Sequence, residues 1–309
     1  MTSSPSKPIY FYAPGIKRYE SGEFRQRHPE AFVALSLTGD QCWLQCDHCQ
    51  GQLLTSMRRL PPGHTLFSFC QALAQRGTRG LLVSGGSDPR GRVPLLPYLE
   101  DLGRAKRELG FRVLVHTGLA DEELARGLRE AGVDGALMDV VGSPRTAAQV
   151  CHLPVKVRDY QDTLEQLTRY GVPAMPHIVL GLHYGRFLGE RRALRLVASY
   201  PVAALVLVVI TPLPGTPMEG ITSPPLPVIC RFFRAARKAL PRTPILLGCA
   251  RPPGPGKAAL DRLAVAAGLD GIAYPAAGIA AYARHQGRTP RFRETCCALL
   301  PFDDGGGAL

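Results

Sequence analysis

No apolar run in the 309-residue chain approaches the roughly 20 residues that a bilayer-spanning helix requires. The longest, residues 203–210, is strand-sized. The start of the chain, Met1 to Lys7, is polar and has no apolar core, so no secretory signal is expected and a soluble, cytoplasmic protein is. Aromatic residues are scarce at 7%, with Trp43 the single tryptophan. Acidic residues, at 25, fall short of the 37 basic ones, giving a formal charge of +12. Lysine is rare: 6 of those 37, against 31 arginines. A nucleic-acid surface normally clusters its cations. Here they are scattered, with no denser run than Arg58-Arg59 or Arg191-Arg192, and a bias of this kind fits base composition equally well. No nucleic-acid or membrane partner is expected. A mildly acidic protein partner suits the charge.

What the chain does have is 45% hydrophobic residues and nine cysteines. That composition buries ample apolar surface and excludes disorder throughout. Short apolar runs at 32–37, 80–84, 112–116, 135–139, 174–180, 204–210, 244–247 and 271–274 alternate with helix-period segments. Those lie at 64–76, 96–108, 121–131, 161–170, 187–199, 226–239, 257–267 and 276–286. The repeat fits βαβ units of about 30 residues. Near-continuous apolar strands between helices argue for a parallel sheet covered on both faces. The expected fold is therefore α/β, a (β/α)8 TIM-type barrel over 31–286, with an N-terminal extension (1–30) and a C-terminal tail (287–309). A doubly wound open sheet is the alternative.

Active sites of such barrels gather at the C-terminal strand ends. Those ends carry Cys42, Cys46 and Cys49 after the first strand, and Gly85-Gly86-Ser87-Asp88 after the second. His116-Thr117 follow the third, Asp139 ends the fourth, and His177 lies within the fifth. Thr211-Pro212-Leu213-Pro214 follow the sixth and Cys249 the seventh. Grouped cysteines in a cytoplasmic chain point to metal or redox chemistry rather than disulfides. Three thiolates in one short loop can hold three irons of a cubane and leave the fourth iron open, since a full Fe–S site uses four. A zinc ion on Cys42, Cys46, His48 and Cys49 is the rival reading, though His48 and Cys49 are adjacent and chelate one tetrahedral ion awkwardly.

Cys42-x-x-x-Cys46-x-His48-Cys49, directly after a first strand, resembles the motif of the radical S-adenosylmethionine (SAM) superfamily. The resemblance implies a [4Fe-4S] cluster whose open iron is chelated by SAM. Electron transfer from a reducing donor then cleaves the sulfonium and yields a 5′-deoxyadenosyl radical. It also places His48 and the Gly85-Gly86-Ser87 turn at the cofactor, although Ser87 stands where the superfamily has an acidic residue. Residues 176–181 resemble its strand beside adenine, and Thr211–Pro217 is similar to a turn of biotin synthase; a core strand and a rigid loop explain them equally well.

Further stretches narrow the resemblance. They are Tyr12-Ala13-Pro14-Gly15-Ile16-Lys17, Val115-His116-Thr117-Gly118-Leu119, Gly142-Ser143-Pro144-Arg145-Thr146, Gly248-Cys249-Ala250-Arg251-Pro252 and Cys296-Cys297. Together they resemble the biotin-synthase-like proteins of the two-component lipoyl synthase. That resemblance implies sulfur insertion into an octanoyl chain on a lipoyl domain, a second radical SAM component, and an auxiliary Fe–S cluster as sulfur source. Cys249, Cys296 and Cys297 are its candidate ligands, with Cys151 an outsider, and Arg251 is compared with an arginine that contacts the second cluster of biotin synthase. Cys70 and Cys230 sit in amphipathic helices and read as small buried hydrophobes. A radical SAM enzyme acting on a small molecule, with no second cluster, is the alternative.

Overall fold

The computed structural model describes residues 7–303. Residues 1–6 and 304–309, parts of the extension and tail read above, lie outside the described residues. Eleven strands form one sheet: β1 (Pro8–Tyr12), β2 (Phe32–Ser36), β3 (Arg58–Arg59), β4 (Gly80–Ser84), β5 (Arg112–His116) and β6 (Gly135–Asp139), followed by β7 (Ala174–Leu180), β8 (Leu205–Val209), β9 (Ile245–Leu247), β10 (Gly271–Ala273) and β11 (Thr289–Arg293). The helices are α1 (Leu66–Gln75), α2 (Leu99–Leu109), α3 (Glu122–Ala131), α4 (Pro144–Val150) and α5 (Val157–Arg169), then α6 (Glu190–Ala198), α7 (Leu226–Ala239), α8 (Pro255–Ala266), α9 (Ile279–His285) and α10 (Leu300–Asp303). The sheet order is β11-β1-β10-β9-β8-β7-β6-β5-β4-β2-β3, and the strand pairs are parallel.

From β4 to β10 the order follows the chain without reversing, which is barrel winding and not the doubly wound alternative. The closed eight-stranded barrel expected from the sequence is an open, barrel-like sheet instead. The reason lies in the segments read as extension and tail. β1 pairs with β10 and β11 pairs with β1, so the far edge of β10 is occupied before it can meet β2. One backbone bond spans the gap, from the Gly15 N–H to the Phe32 carbonyl at 2.8 Å. Phe24 stacks on Phe292 there, with centroids 4.7 Å apart, and the Glu294 carboxylate accepts from the Arg27 and His28 amides.

Local chemistry sets the elements. Strand β2 is buried at all five positions, as a strand covered on both faces must be. Helix α3 starts where Asp121 accepts from the Leu124 amide at 3.0 Å and ends at left-handed Gly132. One large apolar layer lies between sheet and helices. A second fills the inner face, where Tyr10, Tyr12, Leu114, Leu137, Met175, Val206 and Leu246 pack with Cys296–Leu300. The chain therefore folds its own C-terminal segment into the barrel interior. At about 1.5–3 kcal/mol per fully buried large apolar side chain, these layers dominate the stability. Among the described residues no helix is long and apolar enough to cross a membrane.

Candidate active site

The cysteine loop leaves the C-terminal end of β2 and is tied on three sides. On the first side is the turn after β4. Thr38 Oγ1 accepts from the Gly86 amide at 2.7 Å, and the Trp43 amide donates to the Ser87 carbonyl at 2.9 Å. A Cβ on Gly86 would fall 1.9 Å from the Gln41 carbonyl oxygen and 2.5 Å from Cys42 Cα. The glycine expected at the cofactor is thus required by direct packing of the turn on the cysteine loop. Gly85 has more room, its Cβ meeting Thr38 at 3.3 Å.

The second side is the end of α4. The Asp47 amide donates to the Val150 carbonyl at 2.8 Å, His152 Nδ1 lies 2.8 Å from the Leu44 carbonyl, and the Cys46 thiol reaches the Cys151 carbonyl at 3.5 Å. The third is the pair of loops after β7 and β8. Tyr184 donates to Asp47 at 2.5 Å, and Gln52 Nε2 donates to the Pro214 carbonyl at 3.0 Å. The Thr211–Pro217 turn, read as similar to one in biotin synthase, therefore supports the cysteine loop.

The ligand atoms of Cys46, His48 and Cys49 lie within 4.8 Å of one another. Cys42 stands outside that trio but within electrostatic reach of Cys46. Contact with Cys151 pushes the Cys46 thiol well above its usual range, with Cys49 opposing and burial adding to it. The Cys49 thiol is pushed up to about 12, first by Cys46 and then by burial. Crowded neutral thiols of this kind are poor free nucleophiles, and they become good ligands once a metal replaces their protons. Burial works to lower the His48 pKa, but the bond to Cys49 and the nearby Asp139 and Asp47 charges leave it raised. Its Nδ1 is buried without a hydrogen-bond partner.

Opposite the loop, the strand ends gather polar groups as the barrel reading expected. His116 Nε2 lies 3.7 Å from Asp139 Oδ2, and the His116 and His177 rings are 5.9 Å apart. Burial takes the His177 pKa down to about 4, so that ring is neutral near pH 7.

Cys249 packs against the inner apolar layer that buries Cys296 and Cys297. Cys249, after β9, feels the charge of Cys296, and the Cys297 thiol is raised by its bond to Cys296, then by burial and by Cys249. Burial first, then Cys296, pushes Cys249 up to about 12, against the opposing charges of Arg251 and Lys17. Cys296 and Cys297 are 6% and 4% exposed, and the Thr295 hydroxyl beside them is buried without a partner. Two sequence readings are corrected here. Cys151 belongs with Cys46 at the first site, because α4 ends there and not at β9. Arg251 has its fork on Asp261, with Nε at 2.7 Å and Nη2 at 3.2 Å, and also donates to the Gly248 and Tyr274 carbonyls. Those bonds make it a buried strut, not a free donor. Cys70 is buried in the outer apolar layer as expected, and Cys230 is half-buried.

Sequence reasoning did not find Asp47, His152 and Tyr184. Asp47 carried a weak signal, lying inside the cysteine motif; its partners, 105 and 137 residues further on, carried none.

No family model matches the chain. The biotin synthase of Paraburkholderia phytofirmans is 28% identical over 278 residues, which cover 81% of this chain and 72% of that protein. Among solved structures, the [FeFe]-hydrogenase maturase HydG of Carboxydothermus hydrogenoformans superposes with a TM-score of 0.62 at 14% identity, covering 96% of this chain and 70% of that one. Streptococcus suis SuiB bound to S-adenosylmethionine gives 0.51 at 10% identity, covering 80% and 51%. Sequence relatives, fold and the cysteine loop together define a radical SAM enzyme. Within that superfamily the chain is similar to the biotin-synthase-like branch.

Proposed function

We propose that this chain is a radical SAM sulfurtransferase that inserts sulfur into an octanoyl group carried on a lipoyl domain. The single observation that carries the sulfur-transfer reading is that Cys249 packs against the inner layer that buries Cys296 and Cys297, from a segment 47 residues away, when hydrogen abstraction alone needs only the first cysteine site.

The residues present at the first site fit a [4Fe-4S] cluster. Cys42, Cys46 and Cys49 supply three thiolates from one loop, a donor set that leaves one iron for a non-protein ligand. When bound there, the cluster supplies an electron to the sulfonium of SAM. The chain's own contribution is positional. The turn at Gly85–Ser87, the end of α4 and the loops after β7 and β8 hold the thiols in place, while His116, Asp139 and neutral His177 line the facing strand ends. At the second site Cys249, Cys296 and Cys297 are the thiols that would hold a sulfur-donating Fe–S group. The buried thiols of Cys296 and Cys297 follow the orphaned Thr295 hydroxyl, Cys249 is half-buried, and Lys17 sits 4.5 Å from the centre of the Tyr274 ring. An excess of basic residues favours approach of an acidic lipoyl domain, chiefly through the association rate. A reducing electron donor and a second radical SAM component complete the proposed partners.

The test is anaerobic incubation with reductant, SAM and an octanoylated lipoyl-domain peptide, read by mass. Added sulfur on the peptide supports the reading. SAM cleavage without any added sulfur refutes it and favours the small-molecule enzyme.

A further inference from the structure

Asp47 lies between two of the three cysteines of the loop, and all its polar atoms are committed to other elements. Its amide donates to Val150 at 2.8 Å and its carbonyl accepts from the Met218 amide at 3.3 Å. One carboxylate oxygen accepts from Tyr184 at 2.5 Å, and the other faces His152 Nε2 at 3.0 Å. His152 passes the contact on, because its Nδ1 lies 2.8 Å from the Leu44 carbonyl within the same loop. The Asp47 side chain is only 14% exposed. Donation to Asp47 pushes the Tyr184 phenol up to about 12.

The backbone conformations bear on the same point. Among the described residues, five other than glycine have positive φ, and three belong to this arrangement: Gln45 (44°), His152 (52°) and Tyr184 (49°). Each such residue costs free energy and persists only where its surroundings over-determine it. Here the surroundings are the bonds to Asp47, together with the Gln45 side chain, which donates to the Cys42 carbonyl at 2.7 Å.

We infer that Asp47, His152 and Tyr184 form a positioning device that fixes the Cys46–Cys49 span against the end of α4 and the loop after β7. None of the three ligates iron or touches the reacting atoms. They act by holding the thiols at their spacing before any cofactor arrives. The inference rests on the cysteine loop being the cluster-binding loop of the proposed function.

Alkylation of the cluster-free full-length protein, mapped by mass at each cysteine, tests it without requiring a cluster. Opening of the loop sets the labelling rate. Asp47→Ala, which removes two bonds made by a charged group, is expected to speed labelling of Cys46 and Cys49 at least about tenfold, with Cys70 changed less than about twofold. Asp47→Asn keeps one acceptor for Tyr184 and one group facing His152, and is expected to return the rates to within about threefold of wild type. Unchanged rates at Cys46 and Cys49, or equal acceleration at Cys70, would overturn the inference. Should Asp47→Ala fail to fold, Tyr184→Phe decides: faster labelling confined to Cys46 and Cys49 supports the device, and no change overturns it. Failure of the cluster reading would show separately, as wild-type protein that takes up no iron.

Discussion

Replacing Gly86 with alanine places a methyl group where the structure already holds backbone. The new carbon would sit 1.9 Å from the Gln41 carbonyl oxygen, 2.5 Å from Cys42 Cα and 2.7 Å from Cys42 Cβ. Two of those atoms are main chain and cannot rotate away, so the turn and the cysteine loop must part by more than about 1 Å to restore ordinary contact distances. Two hydrogen bonds cross that seam, Gly86 to Thr38 at 2.7 Å and Trp43 to Ser87 at 2.9 Å. Losing them costs about 1 kcal/mol each, and overpacking of this type adds about 1–3 kcal/mol. A total of about 3–5 kcal/mol lowers Tm by about 5–8 °C in a chain of this size. Gly85→Ala is the control, because its carbon would meet Thr38 at 3.3 Å and needs only a small adjustment. It is expected to cost less than about 1 kcal/mol. The assay is thermal unfolding of the cluster-free protein, followed by iron uptake on reconstitution. Equal costs at the two positions, or full iron uptake by Gly86→Ala, would refute the claim that this turn is a template for the cysteine loop.

Other outcomes follow from the same geometry. Arg251 and Asp261 form a pair whose side chains are both fully buried, so Asp261→Ala leaves an uncompensated guanidinium and is expected to destabilise by about 3–5 kcal/mol in urea unfolding. Cys249→Ala is expected to leave SAM cleavage intact, abolish sulfur transfer and reduce bound iron toward the about four atoms of one cubane; iron analysis and peptide mass check both. Lys257, brought down to about 8 by burial and by Arg251, has a folded pKa below that of the free side chain. Its neutral form is therefore favoured on folding, and its unfavourable contribution to stability is greatest below pH 8 and fades as pH rises toward the free lysine value. Lys257→Met is expected to reduce the pH dependence of stability between pH 7 and pH 10, which urea titrations would register.

The four strands β4 to β7 coincide with the runs read from the sequence because each is a bounded apolar stretch between strong helix signals. β1 and β11 escaped for opposite reasons. Pro8–Tyr12 is apolar but has no following helix to mark it as part of a βαβ unit, and Thr289–Arg293 contains a proline and two arginines, which read as loop. Both belong to the sheet because β1 pairs with β10 and β11 pairs with β1, a long-range event with no local signature. α4 was legible in principle: Ser143 caps it, accepting from Thr146 at 3.2 Å, and Pro144 opens it. The cysteine loop could be read because its ligands are local. The Gly86 packing, the Asp47 bonds and the packing of Cys249 against the layer that buries Cys296 and Cys297 depend on contacts between distant segments, and only the last was foreshadowed, through its position at a strand end.

The most direct measurement is the yield of 5′-deoxyadenosine and methionine from SAM, made by anaerobically reconstituted protein under a strong reductant, with Cys42→Ala alongside. Brown wild-type protein that forms both products in equal amounts, and a Cys42→Ala variant that forms neither, is the predicted result. Colourless protein that binds one zinc at Cys46, His48 and Cys49 and leaves SAM intact would contradict it.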